Sequence, residues 1–168
     1  MPSAPSPGRT DSASLLIAAP PDVLYGAFAD AETLMAWLPP GDMTGLALEY
    51  DFRQGGRYRV ELTYGAASAA GIGKTSSHTD VSRGRFVALE VNRRIVQSVE
   101  FDSADESLAG EMLMTWSFEP AASGTLVTIT AQNVPPGISP QDHDEGLRSS
   151  LANLARFVAG RGTGAAPA

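Results

Sequence analysis

With 168 residues and 43% apolar side chains, the chain has the length and composition of one globular domain with a sizeable core. A formal net charge of −7, with Lys74 as the single lysine, excludes a nucleic-acid backbone binder, which needs a basic surface to release counterions. The absence of cysteine excludes disulfides and thiolate chemistry, and no run approaches the roughly 18 apolar residues of a membrane span.

In chain order, MPSAPSPGRT has three prolines and no apolar periodicity, so residues 1–11 are expected to be a disordered arm. The arm has no apolar stretch that would serve as a signal peptide, and a cytoplasmic location is expected. A domain is expected over 12–160. SASLLIA (12–18) predicts a strand. PPDVLYGAFAD follows, opened by prolines and with apolar residues at i, i+4, and predicts a short helix. Asp30 caps a second short helix, AETLMAW, with Leu34, Trp37 and Leu38 on one side.

Two strands are predicted next, near 43–53 and 56–64. Between them Gly55-Gly56 supplies the positive φ values that a tight hairpin demands. In the second strand Tyr58, Val60, Leu62 and Tyr64 face inward and Arg57 and Arg59 face water. GAASAAGIGKTSS (65–77) reads as a flexible loop over a cavity mouth. Further strands are predicted near 78–91, 94–102, 111–119 and 125–133.

SPQDHDEGLRSSLANLARFVAG reads as a long helix. Ser139 is its N-cap, Pro140 its first residue, Asp142 stands at the capping-box position and Gly160 ends it. Leu147, Leu151, Leu154 and Val158 form its apolar stripe. Residues 161–168 are expected to be a disordered tail. This order, strand, two short helices, six strands and a long helix, predicts an α+β fold. A curved antiparallel sheet of about six to seven strands would wrap around the C-terminal helix, with a space between them.

Several of these stretches together resemble the START-like, or SRPBCC, superfamily with the helix-grip fold of the birch-pollen allergen. They are AAPPDVLYGAF, ETLMAWLPP, DFRQGGRYRV, GRFVALEVNRRIVQSVEF, TWSFEPAASGTLVTI and LRSSLANLARFV, spanning about 14–160. The branch they resemble most is that of the homologues of the activator of the heat-shock-protein-ninety ATPase. The resemblance implies a hydrophobic cavity between helix and sheet and leaves the ligand open, since the superfamily holds carriers, cyclases, hydroxylase domains and cochaperones. The chain departs from the pattern at Asn92, where relatives often have proline, and at Ala131-Gln132-Asn133, where they often have His-Glu-Gly.

Motifs for chemistry are sparse. GIGKTS lacks the first glycine of a phosphate loop, that position being Ser68, and leads into a strand. His78 and His143 are far apart in sequence and form no helical pair, so no metal site is expected; His143, among acids in the first turn of the long helix, reads as solvated. Ser149-Ser150 lacks a nucleophile elbow, and no catalytic residue is assigned. Met112, Met114, Trp116 and Phe118 should share one strand face and Ile95, Gln97, Val99 and Phe101 the adjoining one, which leaves Gln97 a lone polar group in an apolar lining.

The expected lining is Trp37, Tyr58, Val60, Gln97, Val99, Met112, Met114, Trp116, Ser150 and Leu154, with Gly146 and Ser150 leaving room on the helix. The function expected is binding of a small apolar or amphipathic ligand without a cofactor. Two alternatives are a cavity enzyme of the cyclase or hydratase kind and a cochaperone-like protein docking through Arg83, Arg85, Arg93 and Arg94. A homodimer is left open.

Overall fold

Alternation of small polar and apolar side chains in RTDSASLLI makes the first strand, β1 (Arg9–Ile17), with Ala13 and Ile17 buried. It starts three residues earlier than its alternation suggests. Arg9 pairs with Val134 across the sheet, and its guanidinium donates to the Asp11 carboxylate and to the Ile138 carbonyl. These partners are distant in sequence, so no local pattern announces them. In this computed structural model, residues 8–39, 43–64 and 79–164 are described, with side chains as far as Gly160. The rest of the expected arm, the loop over 65–77 with its GIGKTS stretch, His78 and the end of the tail lie outside the described residues.

The two short helices are α1 (Pro21–Gly26) and α2 (Ala31–Trp37). Asp30 caps α2 as expected, its carboxylate accepting from the Thr33 amide at 2.8 Å. Six strands follow: β2 (Thr44–Tyr50), β3 (Arg57–Thr63), β4 (Thr79–Glu90), β5 (Arg94–Phe101), β6 (Met112–Ala121) and β7 (Gly124–Val134). A 3-10 turn at Glu106–Leu108, capped by Asp105, interrupts the β5–β6 connection. The last described element is α3 (Pro140–Gly164). The class is α+β, a helix-grip fold. The sheet is antiparallel throughout in the order β1-β7-β6-β5-β4-β3-β2. Strands β2 to β7 form a meander, while α1 and α2 carry the chain from β1 at one edge to β2 at the other.

The paired glycines of the β2–β3 connection act differently from each other. Gly55 has the positive φ, 84°, while a Cβ on Gly56 would lie 2.0 Å from the Asp51 carbonyl oxygen. One glycine supplies the left-handed conformation and the other a close approach of backbone to backbone. The turn is then tied to β4, Gly55 donating to the Phe86 carbonyl and Phe86 to that of Gly56. Asn92, in the β4–β5 turn, has φ 62°, which a proline ring cannot adopt. Asn133 likewise takes a left-handed φ of 59°, a region asparagine enters more readily than most residues.

Ser139 caps α3, accepting from the Asp142 amide at 3.0 Å. The helix does not stop at Gly160 but continues to Gly164. Gly160 is not among the residues with positive φ, and glycine within a helix costs only about 1 kcal/mol against alanine, too little to end it unaided. The stripe Leu147, Leu151, Leu154 and Val158 is buried along its length. It joins the main core, whose centre is aromatic: Phe28 meets Trp37 and Trp116 edge-on at 5.1 and 4.9 Å, and Trp37 meets Trp116 at 5.8 Å. A smaller cluster of Val99, Leu108, Met112, Ala131, Val134 and Ile138 closes the other end. Helix α3 approaches β1, α1 and α2 most closely, which leaves a space between its other flank and the middle strands.

Candidate functional site

That space is a recess of about 320 Å3. Its floor is the inner face of the sheet: Tyr58, Val60 and Leu62 on β3, Ser82 and Phe86 on β4, Gln97, Val99 and Phe101 on β5, and Met112, Met114 and Trp116 on β6. The period-two alternation in each strand puts these residues on one face, and the register lines them up across it. Phe86 pairs with Gln97, which pairs with Met114, and Val99 pairs with Met112. The roof is α3 with His143, Gly146, Leu147 and Ser150, while Phe28, Leu34 and Leu38 close one end.

Of the residues expected in the lining, Tyr58, Val60, Gln97, Val99, Met112, Met114, Trp116 and Ser150 border the recess, as does Gly146. Trp37 and Leu154 do not. Both are buried in the core behind it, at 3% and 0% exposure. Trp37 turns its indole N–H to the Ala27 carbonyl at 3.0 Å and backs the Trp116 ring that faces the space. Leu154 belongs to the buried stripe, whereas Gly146 and Ser150 lie on the adjacent flank of the helix.

The polar groups have specific settings. Strand β4 is opened where Gly84 and Arg85 face β5, and side chains replace the missing ladder bonds. The Tyr58 hydroxyl donates to the Ser98 carbonyl at 2.5 Å, and the Arg85 amide donates to Ser98 Oγ at 2.9 Å. Gly84 is required there, because its Cβ would lie 1.8 Å from the Ser98 oxygen and 2.9 Å from the Tyr58 hydroxyl. Burial pushes the Tyr58 phenol well above its ordinary value, with the neighbouring Gln97 amide acting in the opposite direction. A glycine inside the strand pattern TDVSRGRFV is the sequence signal of this opening.

His143 is the residue that sequence reasoning misplaced. It is not solvated: its side chain is 11% exposed and Nδ1 lies 2.7 Å from the Asp11 carboxylate, on β1. Asp11 is held also by Arg9 at 3.0 Å. Burial opposes the ionised form of Asp11, but hydrogen bonds from His143 and Arg9 outweigh it and hold the carboxyl below its ordinary range. The pairing spans 132 positions, so nothing local to either residue reveals it. Among the described residues, no group of three or more His, Asp or Glu side chains could hold a metal ion.

The four arginines read as one patch are two groups. Arg83 and Arg85 lie on the outer face of β4 beside Arg57 and Arg59, and Arg83 and Arg59 pair with Glu100 and Asp102. Arg93 and Arg94 are at the β4–β5 turn, where Arg94 pairs with Glu90. Arg85 stands five residues before Glu90, about 16 Å along the strand, too far for one compact docking point.

A seven-stranded sheet gripping a terminal helix over an apolar recess defines a protein of the START-like class. Residues 18–159 match the family described as "Activator of Hsp90 ATPase homolog 1-like protein", and the chain belongs to that family. Among solved structures it is similar to a protein from Chromobacterium violaceum, at 31% identity and TM-score 0.77, covering 89% of this chain and 96% of that one. It is similar also to a Rhodobacter sphaeroides protein (20%, TM-score 0.72, 92% and 96%). A third likeness is to an "AHSA1-like protein" from Aeromonas hydrophila (18%, TM-score 0.68, 92% and 94%). No curated protein matches the sequence. No described helix is long and apolar enough to cross a membrane.

Proposed function

We propose that the chain binds a small apolar or amphipathic molecule in the recess between α3 and the sheet. The observation that carries this reading is the composition of the lining. Aromatic, aliphatic and methionine side chains surround a space of about 320 Å3, bordered by a minority of polar groups, Asp80, Ser82, Gln97, Asp142, His143 and Ser150. Methionines such as Met112 and Met114 adapt to ligands of varied outline. An environment-sensitive apolar dye is expected to bind with saturation, and Trp116→Ala to change its affinity. No saturable binding by protein whose fold is verified by circular dichroism would overturn the reading. Native mass spectrometry of protein purified from its own host would identify a retained ligand.

A second reading, a cochaperone-like partner, is favoured by the description of the family itself. It predicts that the chain stimulates a chaperone ATPase and that charge reversal at Arg93 and Arg94 abolishes the stimulation. Ligand binding predicts that the double variant keeps its dye affinity.

A further inference from the structure

His143 is the most unusual group bordering the recess. Its ring lies on the first turns of α3, next to the space, and Nδ1 is taken by Asp11 at 2.7 Å. Asp11 also receives the Arg9 guanidinium, so it is a carboxylate and can only accept. In the neutral form of the imidazole the proton is therefore on Nδ1, facing Asp11, and Nε2 carries a lone pair. Among the described residues Nε2 has no hydrogen-bond partner.

We propose that His143 Nε2 is the polar anchor of the site, accepting a hydrogen bond from a hydroxyl group on an otherwise apolar ligand such as a phenol or an alcohol. The proposal rests on the ligand-binding reading above and specifies its chemistry. Asp80 and Asp142 also border the recess, and Asp11 lies behind the imidazole, so three acidic side chains oppose a carboxylate ligand. The same carboxylates would attract an ammonium group, but its desolvation against the aromatic and methionine lining opposes entry, a cost that a neutral hydroxyl escapes. Asp11 and Arg9 act as positioning residues. They fix the ring and its tautomer across the junction of β1 and α3 without reaching the ligand themselves.

The test uses the full chain and three probes with one skeleton: naphthalene, 2-naphthol and 2-naphthoate, each titrated by fluorescence. The wild type is expected to bind 2-naphthol about fivefold more tightly than naphthalene, the factor that one hydrogen bond supplies, and 2-naphthoate most weakly. In His143→Phe, which keeps a ring but removes both nitrogens, the naphthol preference should vanish while naphthalene still binds. Asp11→Asn keeps the imidazole but releases its tautomer, and should reduce the preference. A naphthol preference unchanged in folded His143→Phe overturns the inference. Should that variant not fold, an unchanged preference in Asp11→Asn does so instead. Equal binding of naphthol and naphthalene by the wild type overturns this inference alone, whereas no binding of either removes the ligand-binding reading with it.

Discussion

Gly146 is the position where stability and binding are expected to part. It lies within α3 at the border of the recess, and a Cβ built there meets no atom within 4 Å. Gly146→Ala therefore gains the full helix-propensity difference of about 1 kcal/mol without a clash, part of it through a less flexible unfolded chain. For a domain of this size, that raises Tm by about 2–4 °C. Gly146→Leu keeps most of the gain, because leucine is nearly as good a helix former as alanine, but it projects a bulky side chain at the recess. Dye affinity should fall in Gly146→Leu and change little in Gly146→Ala. Gly160→Ala is the control, since Gly160 is also helical with nothing near its Cβ, and does not border the recess. It should stabilise without affecting the dye. Thermal melts by circular dichroism and dye titrations on the same preparations read both effects. Loss of stability in Gly146→Ala would refute the reasoning about space at that position. Undiminished dye affinity in Gly146→Leu would refute the placement of the ligand under α3.

Leu151→Ala and Leu154→Ala, at 1% and 0% exposure, should each cost about 2–5 kcal/mol in denaturant melts, and losses under about 1 kcal/mol at both would contradict the packed face of α3. In the β2–β3 turn, Gly55→Ala should cost about 1–2 kcal/mol for its left-handed φ, and Gly56→Ala more, because its Cβ would collide with the Asp51 carbonyl; the reverse order would show that the turn is built differently. Burial raises the phenols of Tyr25, Tyr50, Tyr58 and Tyr64, that of Tyr64 to about 12 with the Asp80 hydrogen bond adding to the shift. A phenol whose folded value is raised contributes stability that is intact below its unfolded value of about 10 and lost as pH rises through the folded value. Stability should therefore fall above about pH 10, and phenolate absorbance should appear together with unfolding; independent titration of the tyrosines in the folded protein would contradict their burial.

The element order was legible because each segment carries its own local signal. Alternation marks β3, β5 and β6, Asp30 and Ser139 cap their helices, and the spacing of Leu147, Leu151, Leu154 and Val158 selects the buried face of α3. Period two also selected most of the recess floor, since strands buried on one face must point alternate residues inward. Local signals weaken where the energy comes from afar. The start of β1 at Arg9, the opened ladder at Gly84 and the separation of the arginines into two groups depend on which strands lie side by side. Whether an apolar residue lines the recess or lies behind it was likewise decided in three dimensions: Trp37 and Trp116 look alike in sequence, and their ring contact puts Trp37 behind. The Asp11–His143 pair is the extreme case. Two residues 132 positions apart meet because β1 joins the edge of the sheet beside β7 and α3 returns across it, so a histidine that reads as solvated becomes a half-buried, hydrogen-bonded group at the edge of the recess.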